Sequence, residues 1–287
     1  MRKTEKMSKK FFHSQMAIGQ HCGCAIGLAL VNLSIGGILP VQTLASPSAT
    51  SREVVSKVGG ELTDFQRSEI AQFVPPRGIG APPDTVGAGS RSAPCPGDPN
   101  TGKFLTPLIP SLNSTDNWGV TVEANPQIFV YIPQTVARSA EFVIQNQDGD
   151  DVYRTTMNIS GEAGIISLNI PKEAASLKVD ENYSWYFTVF CNPRNRKSSI
   201  SVAGGIRRIA LASSLDTQLK QATDRDRPKI YAQNGIWYEA ISSLAALIRQ
   251  KPNDSAIVDE WKNLLQSAGL EKIQDSPINL TASQSTI

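Results

Sequence analysis

Histidine is almost missing from this chain: of 287 residues only His13 and His21 are histidines. Cysteine is scarce as well, with Cys22, Cys24, Cys95 and Cys191. Charge of either sign is absent between Lys10 and Arg52. Each shortage excludes something. Past residue 21 the commonest general base is gone, and with it the usual triads and histidine-based metal sites. The glycines of Gly87–Gly89 lack a following Lys-Ser/Thr and a preceding strand, so they form no phosphate loop.

What fills the uncharged gap explains it. Arg2, Lys3, Lys6, Lys9 and Lys10 form a basic start, an apolar run follows from Ala25 to Leu39, and Pro40 breaks it. Thr43 and Ala45 then place small residues at the two positions a signal peptidase inspects. This three-part layout predicts a secretory signal over residues 1–45 and export to the periplasm or the outside. The alternative is an uncleaved anchor, since the span is long enough to cross a bilayer, although Gly19, Gly23, Gly27, Gly36 and Gly37 weaken it. Cys22 lacks the small-residue lipobox of a lipoprotein, being preceded by Gly19-Gln20-His21. Cleavage removes both histidines, five of the 28 basic residues and one of the 26 acidic ones, so the formal charge moves from +2 to about −2. A nucleic-acid partner loses its electrostatic footing, and membrane attachment would rest on an uncleaved signal alone.

Cleavage also leaves Cys95 and Cys191 as a lone pair. In an oxidising compartment they are expected to form a disulfide; a free, buried Cys191 is the alternative. Residues 46–103 are polar and then rich in Pro and Gly, which predicts a disordered tether. From 104 to 211, alternating segments recur about every ten residues: Leu105–Ile109, Val120–Val122, Gln127–Ile132, Ala140–Asn146, Val152–Ile159, Ile165–Ile170, Tyr183–Cys191 and Ile200–Leu211. Asp148-Gly-Asp-Asp151 is a hairpin turn between two of them. The fold class expected is mainly β with an α-helical C-terminal portion: an antiparallel sandwich followed by three or four helices. Tyr183-Ser-Trp-Tyr-Phe-Thr-Val-Phe-Cys191 carries bulk on both faces and reads as a central strand covered on both sides. Leu177-Lys-Val-Asp-Glu-Asn-Tyr183 resembles the tyrosine corner of fibronectin type III and immunoglobulin-like domains, where a leucine plugs the core and the tyrosine hydroxyl bonds back to the turn.

After Leu211 the period changes to that of helices. Leu215, Leu219 and Ala222 share one stripe, a second helix runs from Pro228 to Asn234, a third from Trp237 to Gln250, and a fourth from Ser255 to Ala268 behind the cap Asp254. Tyr231, Ala240, Leu244 and Pro252 fall at tetratricopeptide offsets, so residues 212–270 resemble one such hairpin. Residues 271–287 are expected to be a flexible tail.

A set of short motifs spans about 73–270: Pro75-Pro-Arg-Gly78, Pro94-Cys-Pro96, Phe129-Val-Tyr-Ile-Pro-Gln134, Asp151-Val-Tyr-Arg154, Tyr183-Ser-Trp-Tyr-Phe187, Asn234-Gly-Ile-Trp-Tyr-Glu-Ala240, Pro252-Asn-Asp254 and Trp261-Lys-Asn-Leu-Leu265. Together they resemble an exported cyanobacterial family known as domain of unknown function 928. The resemblance implies export and no particular activity.

Candidate sites are few. Asp148, Asp150 and Asp151 have oxygen ligands for calcium, though a plain turn accounts for them and the full ligand loop is lacking. Arg194, Arg196, Lys197, Arg207 and Arg208 would gather at one end of the sandwich and face an acidic glycan or lipid headgroup; a solvated loop is the alternative. Trp237, Tyr238 and Trp261 are candidate partner contacts, with Tyr238 beside its helical stripe and partly exposed. No catalytic residue, cofactor or metal is assigned. The function expected is a non-catalytic binding or adaptor module of the envelope, its partner an unknown protein or surface polymer. The alternative is a carboxylate-dependent enzyme acting on glycan. Edman sequencing of the exported protein is expected to begin near Ser46; an intact N-terminus in the membrane fraction would refute cleavage.

Overall fold

The structure is a computed structural model that describes residues 71–76, 94–110 and 118–279. The chain divides into Met1–Gly59 and Gly60–Ile287, and every described residue belongs to the second unit. The expected signal with Cys22 and Cys24, residues 46–70 and 77–93 of the expected tether, Gly87–Gly89, and residues 280–287 lie outside the described residues.

Eight strands come first among the described residues: β1 (Thr106–Pro107), β2 (Trp118–Thr121), β3 (Ile128–Ile132), β4 (Ser139–Gln145), β5 (Asp151–Asn158), β6 (Gly164–Leu168), β7 (Asn182–Phe190) and β8 (Ser199–Arg208). Each overlaps one of the alternating segments in the sequence. They form a three-stranded sheet, β1-β3-β6, and a five-stranded sheet, β2-β8-β7-β4-β5. All pairs are antiparallel except β2 with β8, which run parallel. The wholly antiparallel expectation is corrected there: the run from β3 to β7 separates β2 from β8, and a connection that long permits a parallel pair.

β7 is the middle strand of its sheet, yet it is covered on one face only. Tyr183, Trp185, Phe187 and Val189 are buried, whereas Ser184, Tyr186 and Thr188 are half-exposed. The expectation of cover on both sides is overturned. Ser184 and Thr188 on either side of Tyr186 mark an open face despite the tyrosine's bulk. The doubly covered strands are β3 and β6, buried at all five positions each, and Ile-Phe-Val-Tyr-Ile in β3 is the continuous apolar run such a strand needs.

Four helices follow: α1 (Ser213–Gln221), α2 (Arg227–Gln233), α3 (Trp237–Gln250) and α4 (Ser255–Ser267), then a 3-10 turn at Glu271–Ile273. Gly235, at φ +72°, makes the turn from α2 into α3 in a conformation that disfavours other residues. The Asp254 side chain caps α4 by accepting from the Ala256 and Ile257 N–H groups. Helices α2, α3 and α4 share one continuous apolar core with both sheets, while Leu215 and Leu219 of α1 pack with Ile230 and Ile236 in a second cluster. Trp237 Nε1 donates to the Leu108 carbonyl at 2.9 Å, and the Trp261 ring meets Phe129 edge-on at 6.5 Å. The Tyr238 hydroxyl donates to the Gly205 carbonyl at 3.0 Å and accepts from Trp185 Nε1 at 2.9 Å.

Trp237, Tyr238 and Trp261 are therefore core residues, with at most 2% of any of them exposed. The expected partner contact through a partly exposed Tyr238 is corrected. The first five residues of α3, Trp237 to Ile241, are all buried, so this turn is surrounded and a residue beside the main stripe is covered too.

Two further boundaries move. Part of the expected tether is docked: Phe73 packs edge-on against Trp237 at 5.1 Å, and the Val74 N–H donates to the Ala232 carbonyl at 3.0 Å. Cys95 is buried and disulfide-bonded to Cys191, with 5.2 Å between Cα atoms. Asp98 braces that corner, accepting from the Cys95 N–H, the Thr135 hydroxyl and the Val136 N–H. The expected flexible tail is paired over its described portion, because Ile278 bridges Ile165 in parallel and Ile273 is buried. Apolar side chains at 73, 273 and 278 supply the burial that their polar neighbours hide.

Replacing Tyr238 by Phe strands the buried Trp185 donor. It is expected to lower stability by about 1–3 kcal/mol in chemical denaturation, with the near-UV tryptophan signal perturbed. A loss below the error of the measurement would argue against this hydrogen bond.

Candidate functional site

The outward face of the five-stranded sheet follows from register. Glu141, Val143 and Gln145 of β4 stand opposite Thr188, Tyr186 and Ser184 of β7, and Ser201, Ala203 and Gly205 of β8 continue the same rows. Trp118 pairs with Gly205. Its indole lies on that glycine so closely that a Cβ there would sit 2.6 Å from the ring. Glycine inside a strand marks such a close approach. Because Gly205 carries no side chain, the indole extends over β8.

Beside it lies a cavity of about 270 Å³, lined by Trp118 and Tyr186, by Asn182, Ser184 and Gln145, and by the β4–β5 turn including Asp148. Two atoms of these residues, Trp118 Nε1 and Asn182 Oδ1, are closed from solvent, and so from the cavity, without a hydrogen-bond partner among the described residues. Leaving a buried polar group unpaired costs about 1–3 kcal/mol.

The turn is held by its own hydrogen bonds. The Asn146 side chain accepts from the Asp148 N–H at 3.0 Å and the Asp150 N–H at 2.9 Å, and Gly149 adopts φ +84°. Asp151 turns to Gln145 and Arg154, which hold its carboxyl below the usual range. No group of three or more His, Cys, Asp or Glu gathers to hold a metal ion among the described residues.

A second concavity, of about 370 Å³, opens at the other end of the same face, lined by Ser139, Thr156, Asn158, Phe190, Pro193 and Arg196 among others. The Arg196 guanidinium lies over the Phe190 ring at 4.8 Å and stands 3.8 Å from Glu141. The expected basic cluster does not form. Phe190 pairs with Ser199 and Asn182 with Arg207, so the hairpin sends Arg194, Arg196 and Lys197 to one end and Arg207 and Arg208 to the other. At about 3.3 Å per residue the two groups stand roughly 25 Å apart. Arg208 is also engaged in structure, donating to the Leu177 and Val122 carbonyls. The Tyr183 hydroxyl accepts from the Lys178 N–H at 2.9 Å and donates to Glu181 at 2.8 Å, with Leu177 buried beside it.

Residue reading missed Trp118, Asn182 and Gln145, and it missed Glu239. The Gly204-Gly205 pair inside a strand was the signal for the ring that lies on it. Glu239 is buried in the first turn of α3 and its Oε1 accepts from the Thr121 hydroxyl and from the Val122 and Glu123 N–H groups. Burial pushes its carboxyl up to about 7; those hydrogen bonds oppose the rise only partly, and Glu123 adds repulsion. Neither concavity includes it, and its geometry is that of a tie between α3 and the end of β2.

The pH dependence follows from the direction of the shift. The folded protein binds this proton more tightly than the unfolded chain, whose carboxyl ionises near 4.5. Its contribution is fully present below that value and is lost as pH rises through about 7. Melting temperature is expected to fall between pH 5 and 8, and Glu239→Gln, which mimics the neutral acid, should flatten the profile. The described residues contain no histidine to confuse the window. An unchanged slope in Glu239→Gln would rule the carboxyl out.

No curated protein matches the chain. The family described as Domain of Unknown Function (DUF928) matches residues 86–278, about two thirds of the length and all of the sheet, cavity and helix residues discussed above. The chain belongs to the DUF928 family.

Proposed function

We propose that this protein is an exported, non-catalytic binding module of the cell envelope that engages its partner through the outward face of the five-stranded sheet. The observation that carries the reading is that this face is uncovered and bears both concavities, while the opposite face is sealed by the second sheet and the helices. The Cys95–Cys191 bridge is compatible with an oxidising compartment. Among the described residues no helix is long and apolar enough to cross a membrane. The Tyr183 hydroxyl bonding back to Lys178 over a buried Leu177 supports a fibronectin type III or immunoglobulin-like sandwich. The tight α2–α3 turn supports kinship with a single tetratricopeptide hairpin, and a cyanobacterial source is part of the same family reading.

Glycoside hydrolysis needs two carboxyl groups about 5–9.5 Å apart across the substrate. Among the described residues Asp148 is the single acid lining the first cavity and the second is lined by none, which favours binding over cleavage.

The chain carrying a C-terminal tag and produced in its native cell is expected outside the cytoplasm, with Cys95 and Cys191 inert to thiol reagents until reduction. It should be retained on washed envelopes, and Tyr186→Ala with Thr188→Arg should release it at unchanged melting temperature. Reduced cysteines in a cytoplasmic protein, or retention indifferent to these substitutions, would overturn the reading.

A further inference from the structure

We propose that β5 is a homodimerisation edge: two copies of this chain pair it antiparallel about a two-fold axis at Thr155, joining their five-stranded sheets into one continuous sheet. The proposal stands on the fold and does not need the binding-module reading.

Among the described residues, every other sheet edge is short or partly covered. β1 has two residues and β2 has four. On β6, the Ile165 N–H donates to the Pro277 carbonyl and the Ile165 carbonyl accepts from the Asn279 N–H. β5 runs for eight residues and pairs with β4 alone. Register tells which of its backbone groups are left over. The Ile159 N–H donates to the Arg138 carbonyl, and the same register sets Met157 opposite Ala140 and Thr155 opposite Phe142. Odd-numbered residues of β5 therefore bond to β4, while Val152, Arg154, Thr156 and Asn158 turn their N–H and C=O groups outward. Of these groups the Thr156 carbonyl meets a donor, the Thr155 hydroxyl at 3.4 Å.

The usual guards of an edge are missing from Asp-Val-Tyr-Arg-Thr-Thr-Met-Asn, which has no proline, glycine or lysine. Its one cation, Arg154, is turned back on Glu141 at 2.7 Å and Asp151 at 2.8 Å within its own copy. A long edge of this kind is a template for another strand.

Self-complementarity names the occupant. Outward-bonding residues must stand opposite one another, which limits the registers in which β5 can meet its own copy. Centred on Thr155, the strand pairs throughout: Val152 faces Asn158, Tyr153 faces Met157, Arg154 faces Thr156, and Thr155 faces Thr155. No like charges meet, and a threonine pair is favourable across strands. The half-exposed Tyr153 gains an apolar neighbour on the inner face. Centred on Arg154 instead, two guanidinium groups would oppose each other, which disfavours that register. The axis stands perpendicular to the sheet, so both outward faces lie on the same side.

Sedimentation of the exported protein should show a concentration-dependent dimer. Thr156→Pro removes an outward N–H, and Thr156→Lys sets a cation opposite Arg154 of the second copy. Each should weaken the dimer by about tenfold or more, since each change counts twice across the axis. Thr156 also stands opposite Glu141 within its own sheet, so the lysine gains a partner there and the melting temperature should not fall. Thr155→Cys puts two Cα atoms about 4.5 Å apart across the axis, within disulfide reach. Mild oxidation should cross-link that variant, whereas Asn158→Cys should remain a single chain on a denaturing gel. Three results would overturn the edge: a monomer at every concentration, a dimer unchanged in both Thr156 variants, or cross-linking of Asn158→Cys as complete as that of Thr155→Cys. If the protein is monomeric yet still holds to envelopes through Tyr186 and Thr188, the dimer falls and the module reading stands.

Discussion

The structure turns on one buried hydroxyl. Tyr238 reaches from the first turn of α3 to the middle of the five-stranded sheet, giving its proton to the Gly205 carbonyl and taking one from the Trp185 indole. A hydroxyl buried this deeply is tolerable only with partners, and burial drives its pKa far up, so it stays a neutral donor at any working pH. The contact joins elements distant in sequence and fixes the rotation of α3, because Trp237 beside it must meet the Leu108 carbonyl. It also demands small residues opposite. Gly119 leaves room for the Tyr238 ring and Gly204 for the Trp185 ring.

That demand reaches through the sheet. Gly204 faces inward under Trp185, and Gly205, the next residue, faces outward under Trp118. The same pair of glycines thus receives one indole on each side of β8. With the inner face filled by aromatic rings and helices, the outer face is left as the open surface. Its shape beside Trp118 follows from packing on the other side. Core and surface are coupled here by two adjacent residues without side chains.

Much of the scaffold was legible in the residues. Alternation located all eight strands, and the helical ends were announced by Asp254, Gly235 and Gly269, whose roles depend on local backbone chemistry. What was not legible depends on three-dimensional neighbours. Tyr238 lies one step from its stripe, and periodicity assumes a helix with one wet side; α3 has cover all round at its first turn. Arg207 and Arg208 were grouped with Arg194–Lys197 on the expectation that their strands pair; they do pair, but an antiparallel hairpin separates residues at a strand's far end from those in its turn. Trp118 sits on a four-residue strand whose parallel pairing to β8 no local pattern encodes. The cavity was invisible for the same reason, since its lining comes from β2, β4, β7 and the β4–β5 turn.

The two concavities stand on ground held by different means. Near Phe190 the Cys95–Cys191 bridge ties the end of β7 to the segment before β1, and Asp98 ties that segment to Thr135 and Val136 ahead of β4. Near Trp118 the parallel pairing of β2 to β8 and the Glu239 tie to Thr121 fix the other end. Between them runs β7, hydrogen-bonded on both sides, so the distance from Ser184 to Phe190, about 20 Å, cannot change without breaking the sheet. A face built this way offers fixed positions at a fixed spacing, and such rigidity lowers the ordering cost of any association it makes.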